Sequence, residues 1–293
     1  MSIVLGILEQ GLIYGIMALG VYITYKILDF PDLTVDGSFP LGAAVAAVLI
    51  KNGVNPYLSL AAAFAAGVLA GICTGLIHVK LKVRDLLAGI IMMTALYTIN
   101  LKIAGQANIP LFTSQTIFDN DLLNAIVPQA LKPYITLIII LIISLIAKYV
   151  LDLYLKTRSG YLLRAVGDND TLVTCLAKDK GLVKIVGLAI SNGLVALGGA
   201  VFAHEEGYFD ISSGTGTMVI GLASVIIGTN LFKNVTILRV TSSVLIGSVL
   251  YKACVAIALN FVEPDFVKLI TAVLLLVILV ISHDRKKKVK INA

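Results

Sequence analysis

Tyr57-Leu-Ser-Leu-Ala-Ala-Ala-Phe-Ala-Ala-Gly-Val-Leu-Ala-Gly-Ile-Cys-Thr-Gly-Leu-Ile-His-Val79 contains no Asp, Glu, Lys or Arg. At 1.5 Å per residue, a helix over this stretch is long enough to cross a hydrocarbon core of about 30 Å. Apolar and polar residues do not alternate along it, so it does not read as a strand of a membrane barrel. In lipid the backbone must satisfy its own hydrogen bonds, and a helix follows.

Similar runs lie on both sides of it, at 11–28, 39–51, 86–103, 133–153, 182–203, 215–232, 236–259 and 266–282. The fold class expected is all-α, a polytopic membrane helical bundle of about nine spans within a range of eight to ten. The run at 39–51 is short and is expected to cross only part of the bilayer or to be re-entrant. Composition agrees. The 293 residues are 58% hydrophobic and 14% charged, with a mean hydropathy of +0.97. A soluble domain is nearer a quarter charged. The first residues lack a basic leader and a small-residue cleavage site, so the first run reads as a retained span.

The net charge of +6 comes from Lys and Arg placed between apolar runs. One group is Lys80, Lys82 and Arg84. A second is Lys156, Arg158, Arg164, Lys178, Lys180 and Lys184. Lys233 and Arg239 form a third, and the tail carries Arg285, Lys286, Lys287, Lys288 and Lys290. This is the positive-inside pattern and not a nucleic-acid surface, and it puts all four groups, including the C-terminus, in the cytoplasm. The stretches at 104–132, 204–210 and 263–265 are acidic or neutral and fall outside. Nine crossings then place the N-terminus outside.

The chain also resembles itself. Tyr14-Gly-Ile-Met-Ala-Leu-Gly20 aligns with Asn192-Gly-Leu-Val-Ala-Leu-Gly198, and without a gap Phe30-Pro-Asp-Leu-Thr34 falls on Tyr208-Phe-Asp-Ile-Ser212. With nine crossings the two copies enter from opposite sides, an inverted repeat. The organisation expected is a single transmembrane domain: a first repeat at about 11–153, a cytoplasmic loop at 154–182, a second repeat at about 183–282 and a basic tail at 283–293. The breaks at 29–38 and 207–216 are rich in Gly, Pro, Ser and Thr. Broken helices at membrane depth line a cavity or are buried in protein. Asp32, Thr34, Asp210, Ser212 and Ser213 are the polar groups expected beside a solute path, although plain turns between spans use the same residues.

The loop at 156–184 reads as two short helices. Gly167 breaks the first, and Asp168 or Asn169 caps the second, which would carry Leu172, Val173 and Leu176 on one face. Such a helix lies on the lipid interface or docks into a groove on a soluble partner. Within the spans, Asn100, Ser191, Asn192, Ser224 and Ser248 are expected to hydrogen-bond between helices. No run carries a clear Asp, Glu, Lys or Arg at its middle, which disfavours an ion-coupled carrier. No phosphate loop, metalloprotease motif or nucleophile elbow occurs. Cys73, Cys175 and Cys254 are isolated, as are His78, His204 and His283, so neither metal nor redox chemistry is expected.

Arg158-Ser-Gly160, Arg164-Ala-Val-Gly167-Asp168, the run from Leu188 to Gly199 and Gly221-Leu-Ala-Ser-Val-Ile-Ile-Gly228 resemble the ATP-binding-cassette importer permeases of the branched-chain amino acid and ribose type. The resemblance is strongest to the subgroup ascribed to aromatic amino acids, tryptophan and tyrosine. It covers about 11–282 and is most specific at 157–228. It implies a bacterial cell-membrane permease subunit that is not itself an enzyme. A separate cassette ATPase would bind ATP and Mg, so this chain binds no cofactor. The implied partners are that ATPase, an external solute-binding lipoprotein, a second permease copy as a homodimer, membrane lipid and a small solute. The implied solute is a hydrophobic or aromatic amino acid. Related permeases carry sugars and nucleosides, and a secondary transporter is the rival class. Arg164, Gly167, Asp168, Asp170, Leu172, Val173 and Leu176 become the segment that couples to the ATPase. The text Leu176-Ala-Lys-Asp-Lys-Gly181 departs from the Ala-Leu-Gly-Val-Asn-like turn common in relatives, so the far end of this loop is expected to be shaped differently.

Overall fold

The computed structural model describes residues 2–120, 134–168, 179–233 and 238–259, with scattered positions outside these ranges up to 280. Helix α1 (Ser2–Val21) widens into a π-helical turn over Tyr22–Ile27. After a break come α2 (Val35–Lys51), α3 (Pro56–Val79), α4 (Asp85–Ala104) and a short strand β1 (Asn108–Pro110). Then follow α5 (Ile135–Tyr154), α6 (Arg158–Asp168), α7 (Lys180–Glu206), β2 (Tyr208–Asp210), a 3-10 turn (Ile211–Gly214), α8 (Thr217–Leu231) and α9 (Val240–Leu259).

The boundaries follow from capping. Asn55 accepts the amide of Tyr57 at 2.9 Å, and Pro56 opens α3 at a position where a missing N–H is harmless. Asp179 accepts from Gly181 at 2.8 Å and so starts α7. Gly105 and Gly207 end α4 and α7 in the left-handed conformation (φ 73° and 72°).

Seven helices among the described residues are long and apolar enough to cross a membrane: Ile3–Ile27, α3, α4, α5, α7, Ile211–Leu231 and α9. The two other expected runs are different. The run at 39–51 is α2, only 17 residues long and almost wholly buried, with Pro40 inside it. The run at 266–282 is described only in part, around an apolar helix at Leu269–Ile278.

Helix α7 is the axis of the bundle. Its most apolar window is 78% buried, against 28% for α4 and for α5. The outward faces of α4 and α5 expose Leu87, Ile91, Tyr97, Ile142, Ile146 and Val150. Such faces are stable only against lipid.

Contacts at the centre exchange in pairs. Gly20 sits against the Ser191 carbonyl and Val195, while Gly198 sits against Ile13 and Met17. Gly11 sits against Val249, and Gly71 against Ala189. Shifting each residue by the interval that carries Tyr14 onto Asn192 converts the first contact of each pair into the second. In these contacts α1 and α7 run antiparallel, as an inverted repeat would require.

Four of the expected interhelical hydrogen bonds form: Ser191 to the Gly20 carbonyl at 2.8 Å, Ser248 to that of Gly11 at 2.7 Å, Asn100 to that of Gly37 at 3.0 Å and Asn192 from the Ser38 hydroxyl of α2 at 2.6 Å. Ser224 instead bonds Ile220 within its own helix. The expected absence of charge inside the spans needs one amendment. In α9, Lys252 turns inward over the Tyr14 ring, 3.9 Å from its centroid, and reaches Gln10, which in turn donates to Glu206.

The basic groups that fall among the described residues collect at one end, and the tail at 283–293 lies outside those residues. Gly181 packs on Val79, Gly167 on Ile27, and Arg239 pairs with Asp152 at the foot of α5. At the other end β1 and β2 pair antiparallel, and His204 bonds Ser59 at 3.0 Å and accepts the Ile117 amide at 3.3 Å.

Candidate functional site

Both breaks fold into the same local form. The Asp32 carboxylate accepts the amide of Thr34 at 2.9 Å, and that of Asp210 accepts the amide of Ser212 at 2.6 Å. An Asp two residues before a hydroxyl residue favours this turn, which satisfies a backbone donor locally. The aligned texts therefore give aligned structures.

Their surroundings differ. Asp32 and Thr34 are buried, at 1% and 0% exposure. The second Asp32 oxygen accepts from Asn192 at 2.8 Å, Asn192 accepts from Ser38 at 2.6 Å, and the Thr34 hydroxyl meets that of Thr74 at 3.0 Å. This network ties the first break to the middle of α7 and to α3. It lies inside the bundle, with every one of these side chains buried. In the second break, Asp210 pairs across the strands with Asn108, and Ser212 is exposed and also donates to Asp210. These bonds hold the Asp210 carboxyl below its ordinary pKa, the Ser212 hydroxyl being the main cause. Ser213 is half-buried, and its hydroxyl has no partner among the described residues. Of the predicted path residues, Asp32 and Thr34 are thus buried, whereas Asp210, Ser212 and Ser213 are partly or fully exposed.

Asp36, absent from the expected site residues, joins the two breaks. Its carboxylate accepts the amides of Gly216 at 3.1 Å and Met218 at 2.7 Å and the Thr217 hydroxyl at 3.0 Å. It is the N-terminal cap of α8, supplied by a different helix. Pro40 has no N–H to give the Asp36 carbonyl, and Gly214 packs against that carbonyl and the Pro40 ring. A side chain at Gly214 would collide with both. The signal for Asp36 was its position in the first turn after a break, but its partners lie in the other half of the chain.

Of the expected coupling segment, Asp170, Leu172, Val173 and Leu176 lie outside the described residues. Arg164, Gly167 and Asp168 belong to α6. Leu163 and Val166 are buried, Arg164 and Asp168 are exposed, and Gly167 is pressed on the Ile27 carbonyl so closely that a Cβ could not fit. One turn earlier on the same face, Leu163 meets Leu28 and Gly187. Helix α6 is therefore wedged against the π-helical end of α1 immediately before the first break. Among the described residues no group of His, Cys, Asp and Glu could hold a metal ion.

The family profile described as "Branched-chain amino acid transport system / permease component" matches residues 3–279. A tyrosine transport system permease protein of Clostridioides difficile is 41% identical over all of this chain and 96% of its own. The ribose import permease of Escherichia coli is 27% identical over 76% of this chain and 67% of its own. A probable branched-chain amino acid transport permease of Methanocaldococcus jannaschii is 28% identical over 73% and 70%. No solved structure matches. A bundle of apolar helices with two facing breaks and a wedge helix at its basic end, matched by this profile from end to end, belongs to the permease-component family of branched-chain amino acid transport systems, and the chain is the membrane subunit of an ATP-binding-cassette importer.

Proposed function

We propose that this permease imports an aromatic amino acid such as tyrosine, in a cell membrane, as one of two identical copies. A cassette ATPase holds the ATP and Mg, and an external binding protein delivers the solute. The observation that carries the substrate is the 41% identity with the tyrosine permease along the whole chain. The ribose permease aligns over less of the chain and at lower identity.

The mechanism follows from the contacts. ATP-driven closure of the ATPases pushes on the segment at 167–177 and so on α6. Helix α6 has no slack against Ile27 and Leu28. Displacement there moves Asp32, which is bonded to Asn192 and so to Ser38 at the start of α2. In the same first turn of α2, Asp36 holds the first turn of α8. A single push thereby reaches both broken helices, which border the path in inverted-repeat transporters, and exchanges inward for outward access. The two halves rock about the shared axis.

The test is reconstitution with its ATPase and binding protein in vesicles, measuring uptake of labelled tyrosine and labelled ribose. ATP-dependent tyrosine uptake is expected. Ribose uptake instead would overturn the substrate, and accumulation without any ATPase would overturn the mechanism. Leu172→Asp with Leu176→Asp is expected to abolish ATPase association. Normal association and uptake in that variant would remove the coupling assignment.

A further inference from the structure

The basic end of the bundle holds a pocket of about 390 Å³ between the foot of α5, helix α6 and the start of α9. Tyr22, Asp152, Lys156, Tyr161, Arg164 and Arg239 line it. Its one carboxylate is already committed. Asp152 accepts from Arg239 at 2.9 Å and from Thr241 at 2.6 Å, and Lys148 stands 3.5 Å away. Lys156 and Arg164 are exposed, and among the described residues neither forms an ion pair or a side-chain hydrogen bond. Two cations thus face the pocket without an ion pair among the described residues, and Tyr22 and Tyr161 line it with them.

The rim is of the opposite character. Val240 and Tyr161 of the lining are exposed, Tyr161 at 60%, and Tyr149, one helical turn before Asp152 on α5, is exposed as well. These apolar and tyrosyl surfaces mark the level where hydrocarbon gives way to headgroups. A ligand that suits both parts is anionic at one end and apolar at the other. Basic pockets between helices at the cytoplasmic face are suited to acidic headgroups, and each Lys or Arg adds to the attraction. We propose that this pocket binds the phosphate-bearing headgroup of an anionic phospholipid, with Lys156 and Arg164 on the phosphate and the acyl chains along the exposed face of α5. The lipid would then link α6 to the start of α9, so the stiffness of the wedge depends on it. The proposal does not rest on the identity of the solute or on an ATPase.

Its test uses the purified full-length chain alone, with native mass spectrometry in detergent carrying equal phosphatidylglycerol and phosphatidylcholine. The wild-type protein is expected to retain phosphatidylglycerol by about tenfold over phosphatidylcholine. Lys156→Gln with Arg164→Gln should bring the ratio near one. Lys80→Gln with Lys82→Gln removes the same charge from the same end and should leave the ratio unchanged. Lys156→Arg with Arg164→Lys should also preserve it, which separates loss of the site from loss of the fold. Inorganic phosphate at tens of millimolar, lacking acyl chains, should not displace the lipid. Equal retention of both lipids by the wild type, an equal loss in the Lys80 and Lys82 variant, or displacement by free phosphate would each overturn the proposal.

Discussion

The carboxylate of Asp36 in α2 receives the amide hydrogen of Met218 in α8 at 2.7 Å, so a helix in one half of the chain is capped by a residue of the other. With Gly216 and Thr217 it makes three bonds to one carboxylate. Hydrogen bonds to a charged acceptor are the stronger kind, and donors left unpaired in a bundle are costly.

Asp36→Ala is therefore expected to destabilise the permease by about 2–4 kcal/mol, since α8 loses its cap and two amides lose their acceptor. Asp36→Asn, which keeps one acceptor oxygen, should cost about half as much. Thermal unfolding in detergent measures both. If Asp36→Ala melts with the wild type, the two breaks are not joined by this residue.

Gly167→Val places a branched side chain on the Ile27 carbonyl. Helix α6 must then lift from α1, at about 1–3 kcal/mol. The expected phenotype is uncoupling, with ATPase turnover in the reconstituted importer retained and tyrosine uptake reduced at least tenfold. Proportional loss of both activities would mean that α6 only holds the subunit together.

Asn192→Leu removes the donor to Asp32 and the acceptor from Ser38. A buried carboxylate then keeps the Thr34 amide as its donor, and a loss of about 2–4 kcal/mol is expected. Adding Asp32→Asn to the same variant should recover part of it, because a neutral amide is cheaper to leave half-satisfied. Denaturation of the two single variants and the double variant makes a cycle, and strict additivity would argue against the bond.

Topology is tested by labelling. With Cys73, Cys175 and Cys254 replaced by Ser, a cysteine at Gly53 should react with an impermeant maleimide from outside intact cells. A cysteine at Leu81 should react only after the membrane is opened. The opposite pattern would invert the bundle and remove the ATPase from its wedge helix.

The helices were legible because a long apolar run in lipid has few alternatives. Residues 57–79 became Pro56–Val79, and 86–103 became Asp85–Ala104. The turns at the breaks were legible for a related reason: Asp32 with Thr34 and Asp210 with Ser212 are local motifs, and the same text gives the same turn. What the motifs face was not legible. Asp32 and Thr34 take their hydrogen-bond partners from Asn192 and Thr74, far away in the chain. Asp36 and the inward turn of Lys252 depend likewise on partners that only the packed bundle supplies.

The cap on α8 also constrains how the protein is made. Asp36 emerges from the ribosome some 180 residues before Gly216. Until the later half arrives, its carboxylate has no native donors and must stay near water, at the edge of the insertion machinery. The early helices therefore cannot reach their final depth one at a time. A nascent chain that stops before 211 should remain accessible to aqueous probes at position 36, and it should seal only when synthesis has delivered the second broken helix.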